Sequence, residues 1–114
     1  MTTDSRNSGP QFAANLLFRS SRNGQFAETN LWEEVIVLIN AESEADAYIT
    51  ANAMGRSRES YYITSDGVEV AWLFYRVERV FGLMDLPLQH GSEVFSRHLR
   101  DLEVQSILKP FDEY

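Results

Sequence analysis

Proton transfer near neutral pH falls most readily to histidine, and the sequence has two, His90 and His98. A nucleophilic relay needs a serine presented beside such a histidine and a carboxylate to orient the ring. Ser96 precedes His98 by two residues, but no GxSxG elbow presents a serine. His90 lies in a Pro/Gly-rich loop with Asp85 nearby. Cysteine is absent, which excludes thiolate nucleophiles, disulfide scaffolds, zinc ribbons and iron–sulfur sites. HxH, HxxxH and HExxH patterns are missing too. Asp85, His90, Glu93 and His98 therefore have no ligand spacing of their own. The sequence predicts no catalytic residue, no cofactor-binding residue and no metal site.

The adjacent carboxylates Glu33 and Glu34 are candidates for acid–base work. On a strand, however, neighbours point to opposite faces, so the two cannot share a proton. Trp72, Phe74 and Tyr75 have the composition of a base-stacking platform, but such a platform wants basic neighbours. The chain carries a net charge of −7, so these aromatics read as core and no nucleic-acid partner is expected. Phosphate-cradling GxxxxGK[ST] and GxGxxG loops are absent; the glycines stand singly, at turn positions.

The negative charge is unevenly placed. Glu28, Glu33, Glu34, Glu42, Glu44 and Asp46 follow one another without an intervening base. That run is a candidate surface for a basic protein partner. Glu44 and Asp46 also have a local role, because acids favour the start of a helix. Lys109 is the only lysine against nine arginines, a bias that base composition explains without any function. At 114 residues with 44% hydrophobic content, one soluble domain is expected. No apolar run is long enough for a membrane span, and the first residues lack the apolar stretch of a signal peptide.

The elements that must position these residues are read from periodicity. Residues 1–11 read as a flexible tail, 12–108 as a single domain and 109–114 as a frayed end. A first strand spans 12–20, followed by a turn at Asn23-Gly24. Residues 31–40 form a second strand whose unbroken run Val35–Ile39 predicts a central position. A helix over 41–55 starts at Ser43, ends with Gly55 as its C′ residue, and presents Ala47, Tyr48, Ala51 and Met54 on one face. Strands are expected over 59–64, 68–81 and 93–99, with a tight turn at Asp66-Gly67. In the long strand, Val70, Trp72 and Phe74 share one face and Ala71, Leu73, Tyr75 and Val77 the other. The phase blurs near Arg76, where a bulge is expected. A short helix over 100–108 completes the pattern.

The expected fold class is α+β: a mainly antiparallel sheet of about five strands, in the order β-β-α-β-β-β, with one main helix on one face. One helix covers one face only. The other, if bare, would be an apolar patch of roughly several hundred Å2, large for a monomer. Its cover is expected to be the C-terminal segment, a second copy of the chain, or a partner.

Three segments carry a resemblance: Leu31–Ala47 (LWEEVIVLINAESEADA), Asp66–Val80 (DGVEVAWLFYRVERV) and Gly91–Leu99 (GSEVFSRHL). Together they resemble a small bacterial family, domain of unknown function 4288, over roughly residues 12–100. The resemblance implies a bacterial cytoplasmic domain and brings no established activity or catalytic residues. Trp32, Glu33, Glu34, Trp72, Glu93, Ser96 and Arg97 match its pattern most sharply and are the candidate binding or pairing residues. Glu33 or Glu34, with Glu93, is expected to pair with Arg97 across neighbouring strands.

Two classes of function follow. The first is a non-catalytic protein-binding or accessory module, including an immunity-like role against a basic toxin, with Glu28, Glu42, Glu44 and Asp46 as its acidic interface. The second is a small-ligand or enzymatic domain whose pocket lies between the sheet and the C-terminal segment, lined by Trp32, Trp72, Glu93 and Arg97. A structural homo-oligomer, such as a homodimer, is a third form. Neither cofactor nor membrane enters any of them.

Overall fold

The computed structural model describes residues 11–84 and 86–109. The elements are β1 (Gln11–Arg22), β2 (Trp32–Asn40), α1 (Glu44–Ser57), β3 (Ser60–Ile63), β4 (Glu69–Gly82) and α2 (Asp101–Leu108). The four strands form one antiparallel sheet in the order β2-β1-β4-β3. The expected tail and frayed end lie outside the described residues, except that Gln11 opens β1 and Lys109 caps α2. Asp85 also lies outside them.

Two hairpin devices build the sheet. Asn23 and Gly24 both have positive φ (51° and 77°), and Arg22 and Gln25 exchange two backbone hydrogen bonds of 3.0 Å. Asparagine tolerates this left-handed conformation and glycine meets no steric penalty there, so the chain reverses in two residues. The Asn23 side chain then accepts from the Glu69 N–H at 2.9 Å, tying the turn to the start of β4. At the second device, Gly67 (φ 84°) closes the β3–β4 turn and its N–H donates to the Thr64 carbonyl at 3.0 Å.

The bulge expected near Arg76 is present, and it is double. Phe18 faces Phe74, Leu17 faces Arg76, Leu16 faces Val77 and Asn15 faces Arg79. Tyr75 and Glu78 are thus extra residues, each shifting the alternation by one. The first shift moves Val77 off the face expected for it. It joins the core with Ala14, Leu16, Phe18, Ile39, Ala47 and Ala51, and Trp72, Phe74 and Val80 pack against that core. One carboxylate oxygen of Glu78 is buried without a hydrogen-bond partner.

Helix α1 begins as expected. The Ser43 side chain accepts from the Asp46 N–H at 3.1 Å, and Glu44 and Asp46 occupy the first turn. Its end differs from expectation. Gly55 lies inside the helix, buried against Phe74, and Arg58 is the C-cap. Glycine serves here for close approach rather than for a left-handed stop. Ala47, Ala51 and Gly55 make the buried stripe, while Tyr48 sits at the exposed margin.

Two further expectations are corrected. β2 is an edge strand, although its apolar run predicted a central one. Val35, Val37 and Ile39 face the core side, and Ile36 and Leu38 the other, where they stay about half exposed (47% and 49%). An apolar run reports two apolar faces and says nothing about two strand neighbours. Residues 93–99, expected as a fifth strand, form no sheet pairing. They lie as an irregular strap against the face opposite α1, where the Phe95 ring meets Phe81 at 5.8 Å between centroids. Of the three expected covers, the C-terminal segment thus makes contact with the second face. Helix α2 follows; the Glu103 carboxylate accepts from the Arg100 N–H at 2.7 Å, and no residue of the helix is buried.

Candidate functional site

The strap face is built around Asn15. This side chain is fully buried in the middle of β1, and its amide donates to the Glu34 carboxylate at 2.8 Å. The same Glu34 oxygen faces the Arg97 guanidinium at 3.6 Å. Glu34 therefore ties β2, β1 and the strap together. The ion pair is about one-third exposed, so its Coulomb energy is modest; its geometric effect is to hold the strap on the sheet. Asn15 Oδ1 is left without a partner. Toward the turn end of the same face, the Trp32 and Tyr75 rings meet edge-on at 5.0 Å. The Arg19 guanidinium lies 3.8 Å from the Phe26 ring centre and 5.4 Å from that of Tyr75. This is a cation held among aromatic faces.

The opposite, helix-bearing face is only partly covered. Beyond the last turn of α1 a cleft of about 480 Å3 remains, lined by Phe18, Glu33, Arg58, Ser60, Tyr62 and Trp72 among others. Adjacent strand residues alternate, so Glu33 opens into this cleft while Glu34 serves the other face. The predicted separation of the two carboxylates holds.

The free edge of β2 is the third feature. Its nine residues pair with β1 on one side only. An unpaired edge offers N–H and C=O groups to any extended chain, and proteins usually guard such edges with lysine, proline or a bulge. Residues 35–39 of β2 contain neither Lys nor Pro, and the β1–β2 register runs without a shift. Acids stand at both ends: Glu28 and Glu33 at its start, Glu42, Glu44 and Asp46 just past its finish, all exposed. Nine residues at about 3.4 Å each place the two groups roughly 30 Å apart, several screening lengths, so they act independently.

The predicted candidates are thereby sorted. Glu34 and Arg97 meet, though between strand and strap rather than across two strands. Trp32 shares their face; Glu33 and Trp72 line the cleft on the other. Trp32, Trp72, Glu93 and Arg97 consequently line no common pocket. Glu93 and Ser96 make no side-chain hydrogen bond or ion pair among the described residues. The sequence reading missed Asn15, Arg19, Arg58 and Tyr62. A polar residue in the apolar run FAANLLF was the available signal for Asn15; the others depend on which strands become neighbours.

Among the described residues, no group of three His, Asp or Glu side chains is placed to hold a metal ion. No helix among them is long and apolar enough to cross a membrane. The fold defines an α+β domain whose chemistry-bearing residues are distributed over two sheet faces. A family model, Domain of unknown function (DUF4288), matches residues 11–96, and the chain belongs to that family. The match takes in β1 to β4, α1 and the strap as far as Ser96; Arg97 and α2 lie beyond it. No curated protein and no solved structure matches the chain significantly.

Proposed function

We propose that this domain is a non-catalytic protein-binding module that takes an extended, basic-flanked segment of a partner along the free edge of β2. The observation that carries this reading is the free edge of β2, uncharged over residues 35–39 and with acids at both ends. Main-chain pairing at a sheet edge supplies affinity, and side chains on alternate positions supply specificity. Here Ile36 and Leu38 offer apolar contacts in the middle of the strand. A segment with apolar residues at alternate positions and lysines or arginines outside them fits this pattern. Neutralisation of a basic toxin would be one biological form of it.

A second copy of the chain fits less well. Antiparallel self-pairing of β2 would bring the acidic start of one strand to the acidic helix start of the other, and like charges facing each other cost energy.

The test is recovery of the partner from the native host, followed by amide exchange on the purified complex. A stoichiometric partner that protects the outer amides of β2, weakens with salt and is lost in Ile36→Lys is the expected result. A partner retained by Ile36→Lys, or protection confined elsewhere, contradicts the reading. Light scattering that shows a dimer broken by the same substitution would transfer the edge to self-association.

A further inference from the structure

The cleft beyond α1 carries an inference separate from the β2 edge, with Glu33 common to both. Its floor crosses the whole sheet: Glu33 stands on β2, Phe18 on β1, Trp72 on β4, and Ser60 and Tyr62 on β3. Arg58, the C-cap of α1, closes the β3 side. The volume of about 480 Å3 lies within the range of small-molecule sites. Glu33 and Arg58 make no side-chain hydrogen bond or ion pair among the described residues, with each other or with a third group. Both charges remain available to a ligand.

The arrangement fixes the ligand's chemistry in order. Hydrogen-bond donors belong at the Glu33 end, because an ionised carboxylate only accepts. A flat apolar section belongs in the middle, over Trp72. An anion belongs at the Arg58 end, where a guanidinium and the Ser60 hydroxyl can both donate. Length then separates the classes. Four flat strands span about 14 Å between the outer two, a distance the curl of the sheet shortens. A free amino acid carries its two charges on one carbon and cannot reach both walls. A mononucleotide carries its phosphate a sugar away from a stacking base.

We propose that the cleft binds a purine nucleoside monophosphate of guanine type. The base stacks on Trp72, its paired N–H donors point to Glu33, and its phosphate meets Arg58 and Ser60. Carboxylate recognition of a base donor edge and aromatic stacking are both established modes of base reading. The site uses no glycine-rich loop, in keeping with the absence of such a motif from the sequence.

Calorimetric titration of the full chain with guanosine 5′-monophosphate tests this, with guanosine, adenosine 5′-monophosphate and inorganic phosphate as comparison probes. Saturable binding is expected, tighter than for any comparison probe. Arg58→Gln should weaken the guanine nucleotide by about tenfold or more and leave guanosine unchanged, since one charged hydrogen-bonding partner is lost. Glu33→Gln should weaken both guanine ligands and erase the preference over the adenine nucleotide. Circular dichroism verifies that both exposed-residue variants fold. Absence of heat at several millimolar nucleotide overturns the proposal. So does inorganic phosphate binding as tightly as the nucleotide, or an affinity that neither substitution alters.

Discussion

Gly55 lies against the ring of Phe74 so closely that a methyl group at its Cα would overlap three ring carbons. The contact sets the height of α1 above the sheet. Ala47 and Ala51, both fully buried, continue the same close stripe toward the helix start. Gly55→Ala gains helix propensity but forces the helix outward or the ring out of its rotamer. Overpacking of this kind costs about 1–3 kcal/mol. Denaturant unfolding should show that loss, and Phe74→Leu in the Gly55→Ala background should recover part of it. Additive losses in the double variant would show that the two residues do not interact as described.

Glu34 and Arg97 should be unequal partners. Arg97→Ala removes an ion pair about one-third exposed, worth below about 1 kcal/mol. It should nevertheless release the strap, seen as loss of the nuclear Overhauser contacts between the Phe81 and Phe95 rings. Glu34→Ala removes the acceptor of the buried Asn15 amide as well. An unsatisfied buried donor costs about 1–3 kcal/mol, so the glutamate variant should be the less stable of the two. Equal stabilities would mean that Asn15 does not depend on Glu34.

Asp66 supplies a pH dependence. The Thr64 hydroxyl donates to its carboxylate, and this hydrogen bond, with help from its own backbone, holds the Asp66 pKa below the usual aspartate value. A carboxyl group depressed on folding stabilises the native state above its unfolded pKa. That contribution disappears as the pH falls through the folded pKa. Thr64→Val should therefore raise the Asp66 pKa toward the ordinary value, measured by carbon-detected NMR titration. It should also flatten the acid limb of the stability curve. An unchanged Asp66 titration would refute the assignment.

The Asn23-Gly24 turn gives a third stability test. Both positions have positive φ. Gly24→Ala should cost about 1 kcal/mol, since a Cβ is strained there although space is open around it. Asn23→Ala should cost a similar amount, and in addition it removes the acceptor for the Glu69 N–H. Thermal unfolding that shows no change in either variant would mean that the turn does not depend on these two residues.

Local chemistry was legible in the sequence; neighbours were not. Ser43, Asn23-Gly24 and Asp66-Gly67 act over two to four residues, so their roles follow from residue type and spacing. The phase break near Arg76 was legible for the same reason, since a bulge disturbs alternation in place. Strand order is different in kind. Val35–Ile39 are apolar on both faces whether β2 lies at the centre or the edge, and only the pairing of β1 with β4 decides between them. Gly55 reads as a stop by its position near a helix end, and only the approach of Phe74 reveals its use. Residues 93–99 have strand composition, yet they lie on the face of the sheet and pair with neither open edge strand, β2 or β3. The candidate site divided for a related reason: Trp32 and Trp72 share a residue type, but the register places them on opposite faces.

The double bulge of β4 has a consequence for insertions and deletions. Between the pairs Phe12–Gly82 and Arg22–Val70, β1 contributes eleven residues and β4 thirteen. One extra residue reverses parity along the strand, and a second restores it. Removing Tyr75 or Glu78 would leave every other residue of β4 opposite its present partner, because these are the two residues of the run that β1 does not pair. Removing a residue within the continuous pairing Val70–Phe74 would instead turn over the side chains between that point and the first bulge. The bulges thus act as slack in β4: the strand can lose one residue at either of them without reversing a face.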